Sequence, residues 1–142
     1  MGCDIHLFVE VKTENGWELY SSPNIQRNYS LFAKLANVRN YGNIVPISEP
    51  KGLPEDVSFL VRKEREDFDT DGHSDSWIGI EEIKTLEDWI REYRPYGDVF
   101  DCISLEYSIL HSYLYGNPFS CAGTEEGPEW VKDVRFVFWF DN

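Results

Sequence analysis

The chain has 142 residues, of which 42% are hydrophobic and 15% aromatic. That is enough apolar material for one ring-rich core spanning residues 1–142 as a single domain, and it excludes a disordered chain. The formal net charge of −13 excludes a general affinity for nucleic-acid polymer or anionic membrane, which needs a basic surface, but leaves room for a small phosphorylated ligand held by local arginines.

The first segment alternates. Cys3, Ile5, Leu7, Val9 and Val11 fall on one side, and Asp4, His6, Phe8, Glu10 and Lys12 on the other. This is the period-two pattern of a strand with one face on the core. Asn15-Gly16 marks a hairpin, with Trp17 to Tyr20 as the returning strand. Leu31, Phe32, Leu35 and Ala36 have helical spacing within Tyr29 to Asn37. Gly42, Pro46, Pro50 and Gly52 make Asn40 to Leu53 an ordered loop.

Pro54-Glu55-Asp56 suits the opening of a second helix. Asp67 to Trp77 reads as a polar loop. Ile80 to Tyr93 is helical, with a restart at Thr85 as an alternative, and Ser104 to Tyr115 is a further helix closed by Gly116-Asn117-Pro118. Val134 to Phe140 is β-branched and aromatic throughout most of its length, as in a buried central strand. We place it beside the first strand. The predicted class is α+β: a small, mostly antiparallel sheet with adjacent N- and C-terminal strands, packed against several helices.

Cys3, Cys102 and Cys121 form no C-x-x-C pair, and their odd number fits a reduced compartment. No signal peptide or apolar run of transmembrane length is present. Met1-Gly2-Cys3 resembles an acylated start, but His6 stands where myristoylation wants Ser or Thr.

Two histidines sit in acidic settings, Asp4-Ile5-His6 and Asp71-Gly72-His73-Ser74-Asp75. Residues two apart on a strand share a face, so Asp4 and His6 can address one ion. With His73 and Asp75 they would complete a mixed nitrogen–oxygen site for zinc or manganese. The bland alternative is a pair of surface polar groups and a solvated acidic loop tied by Asx-turns. Asp67, Asp69 and Asp71 also fill the first positions of an EF-hand loop, with Gly72 at the sixth. The closing acid is replaced by Ile78, so only a looser aspartate-rich calcium loop is left. Trp77 is either a core anchor or a stacking platform for a ligand.

Arg27-Asn28 and Arg39-Asn40 bracket the first helix. Arginine forks onto phosphate and asparagine reads a base or ribose edge; the alternative is helix capping and salt bridging. Ser108 and His111 share a helical face, yet no nucleophile elbow accompanies them, so His111 is read as a partly buried helix residue.

Several segments carry a joint pattern: Met1 to His6, the run Arg27-Asn28-Tyr29-Ser30-Leu31-Phe32-Ala33-Lys34-Leu35-Ala36-Asn37-Val38-Arg39-Asn40, Lys51-Gly52-Leu53-Pro54, His73 to Trp77, and Phe138-Trp139-Phe140-Asp141-Asn142. In these the chain resembles an uncharacterised family of small proteins encoded by bacteriophages and prophages. In that family the residue corresponding to Asp75 is often a histidine, so this chain exchanges a nitrogen ligand for an oxygen one. The resemblance implies a phage accessory role in the cytoplasm of an infected bacterium, and no particular chemistry.

Taken together, the expectation is a metal-dependent phosphoester hydrolase that counters host defence signalling. Asp4, His6 and His73 would be catalytic, with Asp75 as a fourth metal ligand. Arg27, Asn28, Arg39, Asn40 and Trp77 would hold a nucleotide-like ligand. The alternatives are a sponge that sequesters such a ligand without chemistry, and an acidic protein that binds a host protein. A homo-oligomer is compatible with each.

Overall fold

The alternating first segment forms β1, Asp4–Thr13, and returns as β2, Gly16–Ser21. Thr13 pairs with Gly16, so Glu14 and Asn15 make the turn, and Gly16 supplies the positive φ of +99° that closes it. The protein is described by a computed structural model over residues 2–93 and 132–141. The expected helix from Ser104 to Tyr115, with Ser108 and His111, lies outside the described residues, as do Cys102 and Cys121.

β4, Asp133–Asp141, runs antiparallel along β1 from Asp4↔Asp141 to Lys12↔Asp133. β3, Gly72–Ile78, pairs with the other edge of β4, which gives an antiparallel sheet of order β2-β1-β4-β3. The central, mostly buried position expected for the last strand follows from this order, since β4 has a strand on each side.

α1, Tyr29–Ala36, starts where the Asn28 side chain accepts from the Leu31 amide at 3.1 Å. It stops at Asn37, which is left-handed with φ 59° and returns its amide to the Ala33 carbonyl. α3, Ile80–Tyr93, is continuous. Thr85 does not restart it, because its hydroxyl donates to the Glu81 carbonyl one turn back.

Two readings of the sequence are corrected in mid-chain. Pro54-Glu55-Asp56 opens a turn, closed by the Val57 amide on the Pro54 carbonyl, and α2 begins later, at Phe59–Phe68. The stretch from Asp67 to Trp77 is no loop: it holds the end of α2, a 3-10 turn at Asp69–Asp71, and β3. Polar composition misled there because β3 is the outermost strand among the described residues, where a polar sequence is tolerated.

The sheet separates two packed layers. Ile5, Leu7, Val9 and Val11 with Val134, Phe136, Phe138 and Phe140 meet α1 and α3 on one face. Phe8, Val137 and Trp139 meet Val61 and Phe68 of α2 on the other. α2 contributes a single fully buried side chain, Val61. Polar contacts therefore carry much of its attachment.

The strongest of these is buried. Arg135 faces its cross-strand partner Glu10, and its Nε donates to Glu10 Oε1 at 2.6 Å with both side chains almost wholly enclosed. Nη1 of the same guanidinium donates to Asp56 at 2.8 Å, and the ring of Trp17 lies 3.9 Å from it. The second Glu10 oxygen accepts from the Ser58 amide at 2.7 Å, immediately before α2. The cluster ties β1, β4, the 54–57 turn and α2 together.

Truncating Glu10 would leave Arg135 enclosed beside Asp56 alone. Glu10→Ala is expected to cost about 3–5 kcal/mol of unfolding free energy in urea titration, whereas the double change Glu10→Leu/Arg135→Met recovers most of that loss. Equal losses in both variants would contradict this account.

Candidate functional site

The α2 face of the sheet is ordered in rows across the strands. Glu10 pairs with Arg135, and the next row is Phe8, Val137 and Trp77. Then comes His6 against Trp139, and last Asp4 against Asp141 and Gly72. On β3 the partners His73↔Phe140 and Ser76↔Phe138 leave Ser74 and Asp75 together opposite Trp139, a one-residue bulge at which Ser74 takes φ 56°. Asp75 thus completes the row of His6 and Trp139.

His6 is held from three sides. Its Nε2 meets the carboxylate of Asp141, its ring centroid lies 4.2 Å from that of Phe68, and it stacks on Trp139 at 6.2 Å. An ionised carboxylate only accepts, so Nε2 carries the proton and Nδ1 offers its lone pair. Nδ1 has no hydrogen-bond partner among the described residues. His6 and Asp141 side chains keep 29% and 27% of their surface exposed, which leaves the pair open to a solute.

Arginine frames this pair on both sides. Arg27 forks onto Asp4 through Nε and Nη2, each at 3.0 Å. That guanidinium holds the Asp4 carboxyl below the usual carboxylate range. Arg65 of α2 donates to Asp75 Oδ2 at 2.9 Å and to the carbonyls of Asp69 and Gly72 at 3.0 Å each, while its Cζ lies 5.8 Å from the Trp139 ring. Arg39 sits over Tyr29 at 5.7 Å and donates to the Tyr41 hydroxyl at 3.4 Å. Burial pushes the Cys3 thiol up, and Arg39 and Arg27 both oppose that shift, so both cations act at the start of β1.

The structure brings together Asp4, His6 and Asp75 on one face, with Arg27 beside them. It does not bring His73 there. His73 pairs with Phe140 and stacks on its ring at 6.2 Å, on the α1 and α3 face, with Nδ1 2.9 Å from the Ser74 hydroxyl. The bulge is the physical reason. Continued without it from Ser76, a regular strand would set residue 73 against Asp141, on the face of His6. The expected four ligands therefore do not converge, and Asp4 and Asp75 are each engaged by an arginine. Among the described residues no group of three or more His, Cys, Asp or Glu side chains is placed to hold a metal ion.

The remaining expected residues have structural partners. Asn28 caps α1, and Asn40 braces its loop through Asn37 and both backbone groups of Ile44. Trp77 packs on the α2-face core with Lys51 Nζ 4.0 Å from its ring. Asp67, Asp69 and Asp71 are exposed on a helix end and a 3-10 turn, a backbone unlike the expected calcium loop. Asp141 is not among the residues expected at the site, although His6 meets its carboxylate. The signal was available once the first and last strands were set side by side, because only their register decides which carboxylate His6 meets.

No protein-family model, curated protein or solved structure matches the chain. Among the described residues no helix is long and apolar enough to cross a membrane.

Two carboxylates are depressed by arginine, Asp4 by Arg27 and Asp56 by Arg135. A depressed folded-state pKa adds stability that is present above the unfolded value, about 3.9 for Asp, and disappears as pH falls through the folded value. Arg27→Ala should thus lower the thermal midpoint at neutral pH in low salt, with the difference from wild type narrowing in strong acid and in high salt. A difference unchanged by acid would refute the assignment to Asp4.

Proposed function

We propose that this end of the sheet binds a small phosphorylated, nucleotide-like ligand and that His6 and Asp141 act on it as an acid–base pair in phosphoester hydrolysis. The observation that carries the reading is the His6 ring, fixed by a carboxylate through Nε2, with no partner for Nδ1 among the described residues and the side chain partly exposed. Asp141 sets the tautomer and stabilises the imidazolium as it forms. His6 Nδ1 takes a proton from the attacking water while its oxygen bonds to phosphorus. The ester P–O bond then breaks, and the same proton passes to the leaving oxygen.

Arg27 and Arg39 supply positive charge at the start of β1 for the phosphate, Arg27 through the part of its guanidinium not committed to Asp4. A net charge of −13 makes such a local cationic spot selective for a small anion over a nucleic-acid polymer. The accessory role in a phage-infected bacterium, against a nucleotide signal of host defence, rests on the resemblance described above. No step in this scheme passes through a metal, because the donors that were expected to hold one are dispersed over two faces or paired with arginine.

The direct test is turnover of a cyclic dinucleotide by the purified chain. His6→Gln and Asp141→Asn should each reduce turnover by roughly 10²–10⁴-fold, the asparagine because its amide can donate to Nε2 and turn the Nδ1 lone pair away from use. Chelator should leave turnover unchanged. Chelator-dependent turnover would overturn the metal-free scheme, and tight binding without turnover would make the chain a sponge.

A further inference from the structure

In the row of His6, two polar atoms are enclosed without a partner among the described residues: Nε1 of Trp139 and Oδ1 of Asp75. Both residues belong to one row. Trp139 is wholly buried with the bulge residues Ser74 and Asp75 opposite it, and Arg65 bonds the other Asp75 oxygen while lying over the Trp139 ring. An enclosed indole N–H that makes no bond, or an enclosed carboxylate oxygen that accepts none, is costly, by roughly 1–3 kcal/mol and more for the charged group. Native chains rarely leave such atoms unpaired on neighbouring residues.

Their chemistry is complementary. Indole nitrogen only donates, and carboxylate oxygen only accepts. The smallest group that satisfies both is a hydroxyl, which accepts from Nε1–H and donates its own proton to Oδ1. An anion would suit the indole but be repelled by Asp75, and an ammonium would suit Asp75 but not the indole. The side chains of His6 and Asp75, 29% and 23% exposed, mark where a solute meets this row from solvent.

We propose that Trp139 Nε1 and Asp75 Oδ1 form a hydroxyl subsite that takes the sugar ring of the phosphorylated ligand. The inference rests on the reading of His6 and Arg27 as the phosphate end, and it narrows the ligand to a sugar phosphate or the ribose phosphate part of a nucleotide. Arg65 positions Asp75 and is not itself a contact of the hydroxyl.

The probes are ribose 5-phosphate and inorganic phosphate, titrated into the full chain and followed by nuclear magnetic resonance. The Trp139 indole signal is identified by its absence in Trp139→Phe. It should shift with ribose 5-phosphate and stay in place with inorganic phosphate, while the His6 ring signals respond to both. Asp75→Asn should weaken ribose 5-phosphate by roughly 10-fold or more and leave inorganic phosphate binding unchanged, a comparison that stands even if Trp139→Phe fails to fold. If His6 responds to both probes while the indole signal is indifferent and Asp75→Asn binds as wild type does, the two atoms are joined by a bound water only. The subsite then falls and the acid–base reading survives. If neither probe moves His6 or Trp139, both are overturned.

Discussion

The register of β1 on β4 governs the whole molecule. Because each β1 residue has a fixed partner on β4, Glu10 meets Arg135, Phe8 meets Val137, His6 meets Trp139 and Asp4 meets Asp141 on one face. Slipping β1 by one residue would send Asp4, His6, Phe8 and Glu10 to the opposite face and set charge against the aromatic layer. The buried Glu10–Arg135 pair works against such a slip, since either partner alone in the core is far more costly than the pair. At the other end of the same strands, the register brings the residues of the candidate site into adjacent rows.

The two faces are built differently. One is covered by α1 and α3 through a continuous aliphatic and aromatic layer. The other is covered by α2, which is anchored at its start by Glu10 and at its end by Arg65 and Phe68. The candidate site sits where that second anchoring meets solvent, and it combines an oriented imidazole, three carboxylates and two guanidiniums in a small area. Polar groups held so closely by partners are rigid, which suits a site that must present one nitrogen in one direction.

Much of this was legible in the sequence. The alternation from Cys3 to Val11 and the aromatic run from Val134 to Phe140 gave the two central strands and their adjacency, and Asp4 and His6 do share a face as the period of two requires. What stayed hidden has a common cause, in that it depends on contacts distant in the chain. Glu10 looked like one of the solvent-side residues, and only Arg135 and the Ser58 amide make its burial tolerable. The start of α2 is set by that carboxylate and not by Pro54, whose local signal was sound but lost to the tertiary contact. Asp141 became visible only through the β1–β4 register. The bulge at Ser74 and Asp75 has no strong sequence signature, and it alone moved His73 to the other side of the sheet.

Gly72 lies against the guanidinium of Arg65: a methyl group built there would stand 2.7 Å from Arg65 Cζ and Nη1. The missing side chain is the seat in which Arg65 lies flat while it grips the Gly72 carbonyl, the Asp69 carbonyl and Asp75. A larger residue would force the guanidinium to shift, loosening the clasp on the tail of α2 and the hold on the neighbouring acid. A position with no functional group of its own therefore decides whether the helix and the candidate site behave as one rigid piece.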